Sequence, residues 1–413
     1  VSAEADKADK ADKKTAGRAG RWLTLPGGKR VLVVVHTEVY GQRLRDLFRL
    51  LEGDLRLELT FTVAPHAFND GAERFLQGLG ARWMPWKKAV RTDFDLALAA
   101  GSRGMEQVRA PLIRLPHGAG HIKLSRERPR NRGADRTVSG LGREYLTHLG
   151  KVVPAAFAVA HDEDRAALAR SCPEALAVTE VVGDPCFDRI QASLPMREGY
   201  RRALGLREGE RLVLACSTWG LGSSFNRLDA LLPRLLAELP RPEFRTAVLV
   251  HPNVWAGHGS WQVRAWLSAC RRHGVTVIGP EADWRALLVA ADCVIGDHGS
   301  VTLYGTMTGA PILLARYPDR EVNPASPAAA LAAAAPALSP AHPLTEQLDY
   351  AAAEYPRQEY ARIAARLSSE PGRFNRNMRR LMYRLLALGQ PAYSPATEPV
   401  PLPEPLAGAE VTA

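Results

Sequence analysis

The sequence predicts an α/β protein in which two doubly wound parallel sheets, one per domain, face a central cleft. Three observations carry that expectation. Short apolar runs rich in β-branched residues alternate with stretches of helical spacing along most of the chain. The alternation pauses once, at Thr179–Ile190 (TEVVGDPCFDRI), and then restarts as a second series. Four segments place polar residues directly after an apolar run, where open α/β sheets collect ligands.

The first series begins at Val31–His36 (VLVVVH), whose five consecutive apolar residues mark a strand covered on both faces. RLRDLFRLL follows at helical spacing, then the strand Leu57–Pro65 (LELTFTVAP) and the helix GAERFLQGLGA. Phe94–Gly101 (FDLALAAG), Pro111–Gly118 (PLIRLPHG) and AAFAVAHDEDRAALAR continue the rhythm. After the pause come Arg211–Gly220 (RLVLACSTWG), Arg245–Asn253 (RTAVLVHPN), Gly274–Gly279 (GVTVIG), Ala291–Ser300 (ADCVIGDHGS) and Ala310–Arg316 (APILLAR). A last region without strand signal ends in Arg373–Gly389, five arginines interleaved with Phe374, Met378, Leu381, Met382, Leu385 and Leu386. It reads as a basic amphipathic helix packed on the protein, and the same pattern suits an anionic membrane surface. The expected layout is a disordered basic tail over 1–29, a first domain over 30–185 and a second over 186–343. Helices crossing back over 344–390 and a disordered proline-rich tail over 391–413 complete it.

At 413 residues, 46% apolar and 24% charged, the chain has material for two cores. It lacks an unbroken apolar run of about 18 residues, so no spanning helix is expected. Its opening carries no apolar stretch of the signal-peptide kind. Cys172, Cys186, Cys216, Cys270 and Cys293 never form a CxxC pair and read as reduced core residues of a cytoplasmic protein. The net charge of +10 implies an anionic partner. Lys123–Arg136 (KLSRERPRNRGADR) sets six basic residues against two acidic ones. It reads as a solvated loop, or as a flap for a phosphate-bearing acceptor or a membrane surface. No aromatics interleave with these charges, so nucleic acid is not expected.

In GDHGSVTLYG, Gly296 and Gly299 permit tight or left-handed backbone, and Ser300 is a good N-cap. The helix start then offers free N–H groups and a positive dipole end to a phosphate. A plain capped junction is the competing reading. VHPN places His251 and Asn253 where a strand has just surfaced, able to donate to a phosphate or ribose or simply to face water. PHGAGHIK sets His117 and His121 four apart with Lys123 behind. Its glycines oppose the helix a zinc pair needs, so the expectation is a ligand-approaching loop with a histidine base and no metal.

The order of these segments resembles that of the CDP-glycerol glycerophosphotransferases of teichoic-acid synthesis. That family shares the GT-B fold, two Rossmann-like domains facing a cleft, with many nucleotide-sugar glycosyltransferases. The matching stretches are PHGAGHIK, VVGDPCFDRI, LACSTWG, LVHPN and ADCVIGDHGSVTLYG, within about Val31–Leu314. The resemblance implies an N-terminal acceptor domain and a C-terminal nucleotide-donor domain. It implies that His117 activates the acceptor hydroxyl, that His251 helps hold the donor's phosphates, and that Ser300 binds the pyrophosphate at a helix start. Ser217, Thr218, Asn253, Asp297, His298, Gly299 and Val301 join the donor side. Gly118, His121 and Lys123 are the expected acceptor or phosphate contacts. Two stretches depart from the family pattern. Gly220 stands where an arginine is usual, and Asp297-His298-Gly299-Ser300 replaces Asp-Tyr-Ser-Ser. That turn is also similar to the Asp-Ser-Gly-Gly phosphate turn of UDP-N-acetylglucosamine 2-epimerases.

The leading expectation is a transferase without metal or cofactor. It moves a glycerophosphate or glycosyl group from a nucleotide-diphosphate donor to a hydroxyl acceptor in cell-envelope polymer synthesis. It would work in the cytoplasm, peripherally at the inner face of the membrane, on a lipid-linked acceptor. The alternatives are a UDP-sugar 2-epimerase or hydrolase, which needs no acceptor, and a catalytically degenerate nucleotide-binding scaffold, motivated by the missing arginine.

Overall fold

The computed structural model describes residues 28–125 and 136–406; all but the last two residues of the expected basic tail over 1–29, most of the Lys123–Arg136 run and the end of the expected proline-rich tail, 407–413, lie outside them, and Lys29 opens the first strand. The first domain contains β1 (Lys29–Val35), β2 (Leu57–Val63), β3 (Trp83–Met84), β4 (Leu96–Ala99) and β5 (Leu112–Arg114). It continues with β6 (Thr147–His148), β7 (Lys151–Val152), β8 (Ala156–Val159) and β9 (Thr179–Val181). Seven of these form a parallel sheet in the order β3-β2-β1-β4-β5-β8-β9, while β6 and β7 form a small antiparallel pair. The second domain contains β10 (Arg211–Ser217), β11 (Phe244–Val250), β12 (Thr276–Ile278), β13 (Cys293–Gly296) and β14 (Ile312–Leu314). They lie parallel in the order β12-β11-β10-β13-β14.

The apolar runs dictate this layering. Val31–Val35 is fully buried because core clusters cover both of its faces. All seven residues of β11 are buried for the same reason. In each sheet the strand order reverses beside the first strand, between β1 and β4 and between β10 and β13. Connections there leave on opposite faces and open a crevice at the carboxyl ends.

The hinge follows β9. Asp184 accepts from the Phe187 amide at 2.8 Å and caps the helix Pro185–Ser193. One turn later Asp188 accepts from the amides of Gly372 (2.7 Å) and Phe374 (2.9 Å), seating the start of the helix Phe374–Leu385. That helix buries Phe374, Met378, Leu381 and Met382 in the first domain's core, beside Val31, Leu44 and Leu47. Its apolar stripe is consumed by the protein, so it is not available to lipid. No described helix is long and apolar enough to cross a membrane.

One expectation is corrected. Residues 391–406 were expected to be disordered with the rest of the proline-rich tail, yet Tyr393 and Ala396 meet the helix Phe374–Leu385 and the stretch from Val400 to Leu406 lies against the second domain. Val400 and Leu406 are buried in its core. The Val400 amide donates to Ser193 Oγ (2.9 Å), the Tyr200 hydroxyl donates to the Val400 carbonyl (2.6 Å), and the Leu406 amide donates to the Leu204 carbonyl (3.1 Å). Two apolar anchors with satisfied backbone groups are enough to fix a segment that composition alone marks as loose.

Candidate functional site

Polar residues follow the strands of both sheets: His36 after β1, His117 beyond β5, Thr218 after β10, His251 after β11, Asp297 after β13 and Arg316 beyond β14. The segment beyond β5 is a strap between the domains. The Leu124 amide donates to the Glu321 carbonyl (2.9 Å), the Asn323 amide donates to the Ile122 carbonyl (2.7 Å), and Ala119 and Ile122 are buried in the second domain's core. The Ala119 amide donates to Ser300 Oγ at 3.1 Å, across 181 residues of chain. The His117 loop and the Ser300 turn therefore meet.

Arg43, from the helix Glu38–Phe48, ties the strap to the hinge. Its Nη2 donates to the Gly118 carbonyl (3.0 Å), to Asp184 Oδ2 (2.9 Å) and to the Tyr304 hydroxyl (3.4 Å). The Tyr304 hydroxyl in turn donates to Asp184 Oδ1 at 2.9 Å. Burial opposes the charge on Arg43, but Asp184 beside it holds the guanidinium well above its ordinary value. A buried ion pair thus joins both domains and the hinge.

His117 stands at the start of the strap, its ring 4.5 Å from that of Tyr40 between centroids. Burial between the cleft walls, then the charges of Arg43 and Lys123, push it down to about 3. By its own surface the residue is nonetheless exposed, open to solvent at the cleft mouth. Its desolvation is that of a crevice rather than a core, and the consequence is a neutral imidazole at neutral pH. His251 accepts from the Asn253 amide through Nδ1 at 3.1 Å, so its proton sits on Nε2 as a free donor. Burial, then Lys123 and His117, push it down to about 3 as well. His298 is 3% exposed, and neither ring nitrogen has a hydrogen-bond partner. Burial, then Lys123 and Arg316, push it down to about 3. The Lys123 charge acts on His117, His251, His298 and Asp297 together, and its Nζ lies 5.6 Å over the Trp219 ring.

The other expected residues divide into scaffold and surface. Asp297 accepts from the amides of Thr218, Ser224 and Gly299, each at 2.9 Å, and from Ser217 Oγ at 3.3 Å. Both its oxygens are occupied, so it shapes the turn. Ser217 Oγ also accepts from the Phe225 amide at 2.8 Å and belongs to the same scaffold. Asn253 is buried with Oδ1 unpartnered, and Val301 packs against the second domain's core. His121 is corrected: its Nδ1 pairs with Asp164 at 2.8 Å inside the first domain, which makes it a structural partner rather than a substrate contact.

The glycine turn also differs from expectation. Gly299, not Ser300, is the N-cap, with extended backbone at φ −77°. Ser300 is the first helical residue and its hydroxyl goes to the strap. Gly296 is glycine because a Cβ would collide with Thr302 Oγ1 and approach Cys216 Sγ to 3.0 Å, which is a space requirement rather than a left-handed one. The helix Ser300–Tyr304 has five residues before a tighter turn at Gly305–Met307, too few to build a strong dipole. At Gly220 φ is +90°, a left-handed turn that favours glycine over the arginine of the resembling family.

Several residues were missed. His36 donates through Nε2 to the Arg103 carbonyl at 2.8 Å, while Nδ1 is buried without a partner. Burial pushes it down to about 4, and the rings of Tyr40 and His66 lie 5.9 and 6.3 Å away. Its signal was present, a histidine directly after an apolar run. Phe68 and Trp219 meet at 5.5 Å from opposite domains. Arg43 had no local signal, because Asp184 lies 141 residues away.

No family model matches the chain, and no curated protein matches it. Solved structures do. One is the wall teichoic acid polymerase TagF soaked with CDPG, at 12% identity over 87% of this chain and 88% of that one, TM-score 0.57. A second is the UDP-GlcNAc 2-epimerase of Methanocaldococcus jannaschii in complex with UDP-GlcNAc and UDP, at 12% identity over 86% and 99%, TM-score 0.52. A third is S. aureus MnaA with UDP, at 13% identity over 89% and 99%, TM-score 0.51. At these identities the likeness is one of fold. The chain has the GT-B fold, two Rossmann-like domains whose sheets present their carboxyl ends to a shared cleft.

Proposed function

We propose that the chain is a transferase that passes a glycerophosphate or glycosyl group from a nucleotide-diphosphate donor to a hydroxyl acceptor. The observation that carries this reading is the meeting of a neutral histidine base, His117, with Lys123, His251 and His298 in one cleft. His117 takes the acceptor's proton as its oxygen bonds to the transferred phosphorus or anomeric carbon. The bond to the nucleotide breaks, and the departing phosphate oxygen keeps the electron pair. Lys123 and the Nε2–H of His251 meet that charge. Burial is the main cause of the weak basicity of His117; the Lys123 charge adds to it, and a bound diphosphate that pairs with Lys123 relieves that part.

The test is turnover of radiolabelled CDP-glycerol and a panel of nucleotide sugars, with free and lipid-linked hydroxyl acceptors. His117→Ala is expected to lower turnover by about two to four powers of ten. Activity that survives the substitution removes His117 from the mechanism. Product formed from donor alone marks an epimerase or hydrolase instead.

A further inference from the structure

A second crevice opens in the first domain, apart from the scaffold around Asp297. It measures about 380 Å³ and is lined by Ser102, Met105, Leu112, Arg114, Tyr145 and His148, among others. That volume suits a small ligand. Arg114 is its unusual wall. The residue ends β5 after two buried apolar residues and is 6% exposed, yet no carboxylate among the described residues forms an ion pair with it. Nη1 donates to the carbonyls of Tyr145 (3.2 Å) and Gly140 (3.4 Å), and the guanidinium lies 5.2 Å over the Phe157 ring. Burial lowers its affinity for the proton only to about 10, so the group remains a cation.

The unused side of this guanidinium is informative. Nε is buried without a partner, and no hydrogen bond from Nη2 is present among the described residues. Nε and Nη2 form the edge by which an arginine grips two oxygens at once. Elsewhere in this chain the same edge holds carboxylates: Arg234 holds Glu238 at 2.8 and 3.1 Å, and Arg366 holds Glu163 at 3.0 and 2.8 Å. The acidic residues of the crevice do not serve Arg114. Glu106 and Glu144 are exposed, and accept from Gln107 (3.2 Å) and Thr137 (2.8 Å). A buried cation left this way costs stability unless an anion completes it.

We propose that this crevice is an oxyanion subsite, in which Arg114 takes the phosphate or carboxylate of a small acceptor that presents its hydroxyl toward His117. The assignment to an acceptor rests on the transferase reading above; the anion site itself does not. Arg114 stands three residues before His117, and its charge reaches His36, Tyr40 and His117. An anion on Arg114 is therefore within electrostatic range of the base, although His117 does not itself line the crevice.

The test is calorimetric titration of the full chain, without nucleotide, against glycerol 3-phosphate, glycerate and glycerol. At least one of the two anions is expected to bind and glycerol is not; which anion binds distinguishes phosphate from carboxylate. Arg114→Lys, which loses the two-pronged edge, is expected to weaken binding at least tenfold. Ser102→Trp, which fills the crevice and leaves Arg114 in place, is expected to do the same, and it decides the matter should Arg114→Lys fail to fold. Thermal midpoints near that of the wild type verify each variant's fold. Absence of binding by both anions, equal binding of glycerol, or anion binding untouched by Ser102→Trp overturns the subsite. Anion binding that persists in a protein with no transferase turnover leaves the subsite standing and removes only the acceptor assignment.

Discussion

His298 offers a perturbation whose size follows from the structure. The ring is buried with both nitrogens unpartnered, and its proton affinity is pushed down to about 3 from an ordinary 6.5. An unsatisfied buried polar group costs roughly 1–3 kcal/mol. His298→Leu, which keeps much of the volume and removes the polar atoms, should therefore stabilise the empty protein by about 2 kcal/mol at pH 7. Acid widens the gap. Below pH 6.5 the unfolded chain protonates this histidine and the folded chain does not, so the wild type's stability is full above 6.5 and drains as the pH falls toward 3. Between pH 7 and pH 5 the wild type should lose about 2 kcal/mol relative to the variant. Asp188, pushed up to about 6 by burial, and Glu38, pushed up to about 7 by burial, titrate in both proteins and cancel in the comparison. Urea unfolding at the two pH values measures both effects. The functional half is read by adding CDP or UDP: saturation near a hundred times the dissociation constant stabilises by about 2.7 kcal/mol, and the variant should lose most of that gain. A variant less stable than wild type at both pH values, with an unchanged pH dependence, refutes the account of His298 as a buried ring whose nitrogens are unpaired.

Three further predictions follow from other contacts. Asp184→Ala strands the Arg43 charge in the interior and uncaps the helix Pro185–Ser193, so urea unfolding should show a loss of about 3–5 kcal/mol. Gly118→Ala places a Cβ 2.5 Å from Ser300 Oγ and pries the strap from the second domain. Steady-state kinetics should then show reduced turnover, while nucleotide affinity measured by calorimetry stays within a few-fold. Asp188→Ala frees the amides of Gly372 and Phe374, and hydrogen exchange should accelerate across Phe374–Leu385 while the β11 amides keep their protection.

The strands and the hinge were legible because their determinants are local. VLVVVH, RTAVLVHPN and ADCVIGDHGS carry their period and their terminating residues within ten positions, and each became a buried strand with a polar exit. The same kind of reading singled out His117, His251 and His298, since a histidine close after an apolar run needs no distant partner to be noticed. It could not say what each group would bind. His121 and His117 look alike in PHGAGHIK, yet one pairs with Asp164 and the other faces the cleft. Arg114 drew no notice in the sequence, because the lack of an ion-pair partner is a fact of its surroundings.

The sequence by itself determined the two α/β halves and the set of polar residues at the strand ends. Only the tertiary structure decided that Asp297 is spent on backbone amides, that the Ser300 hydroxyl reaches the strap, that Arg43 locks hinge to cleft, and that residues 391–406 are held. Periodicity is set by neighbours a few residues apart, whereas the partner of a buried polar group is set by whichever segment the fold brings within about 3 Å, often from far along the chain.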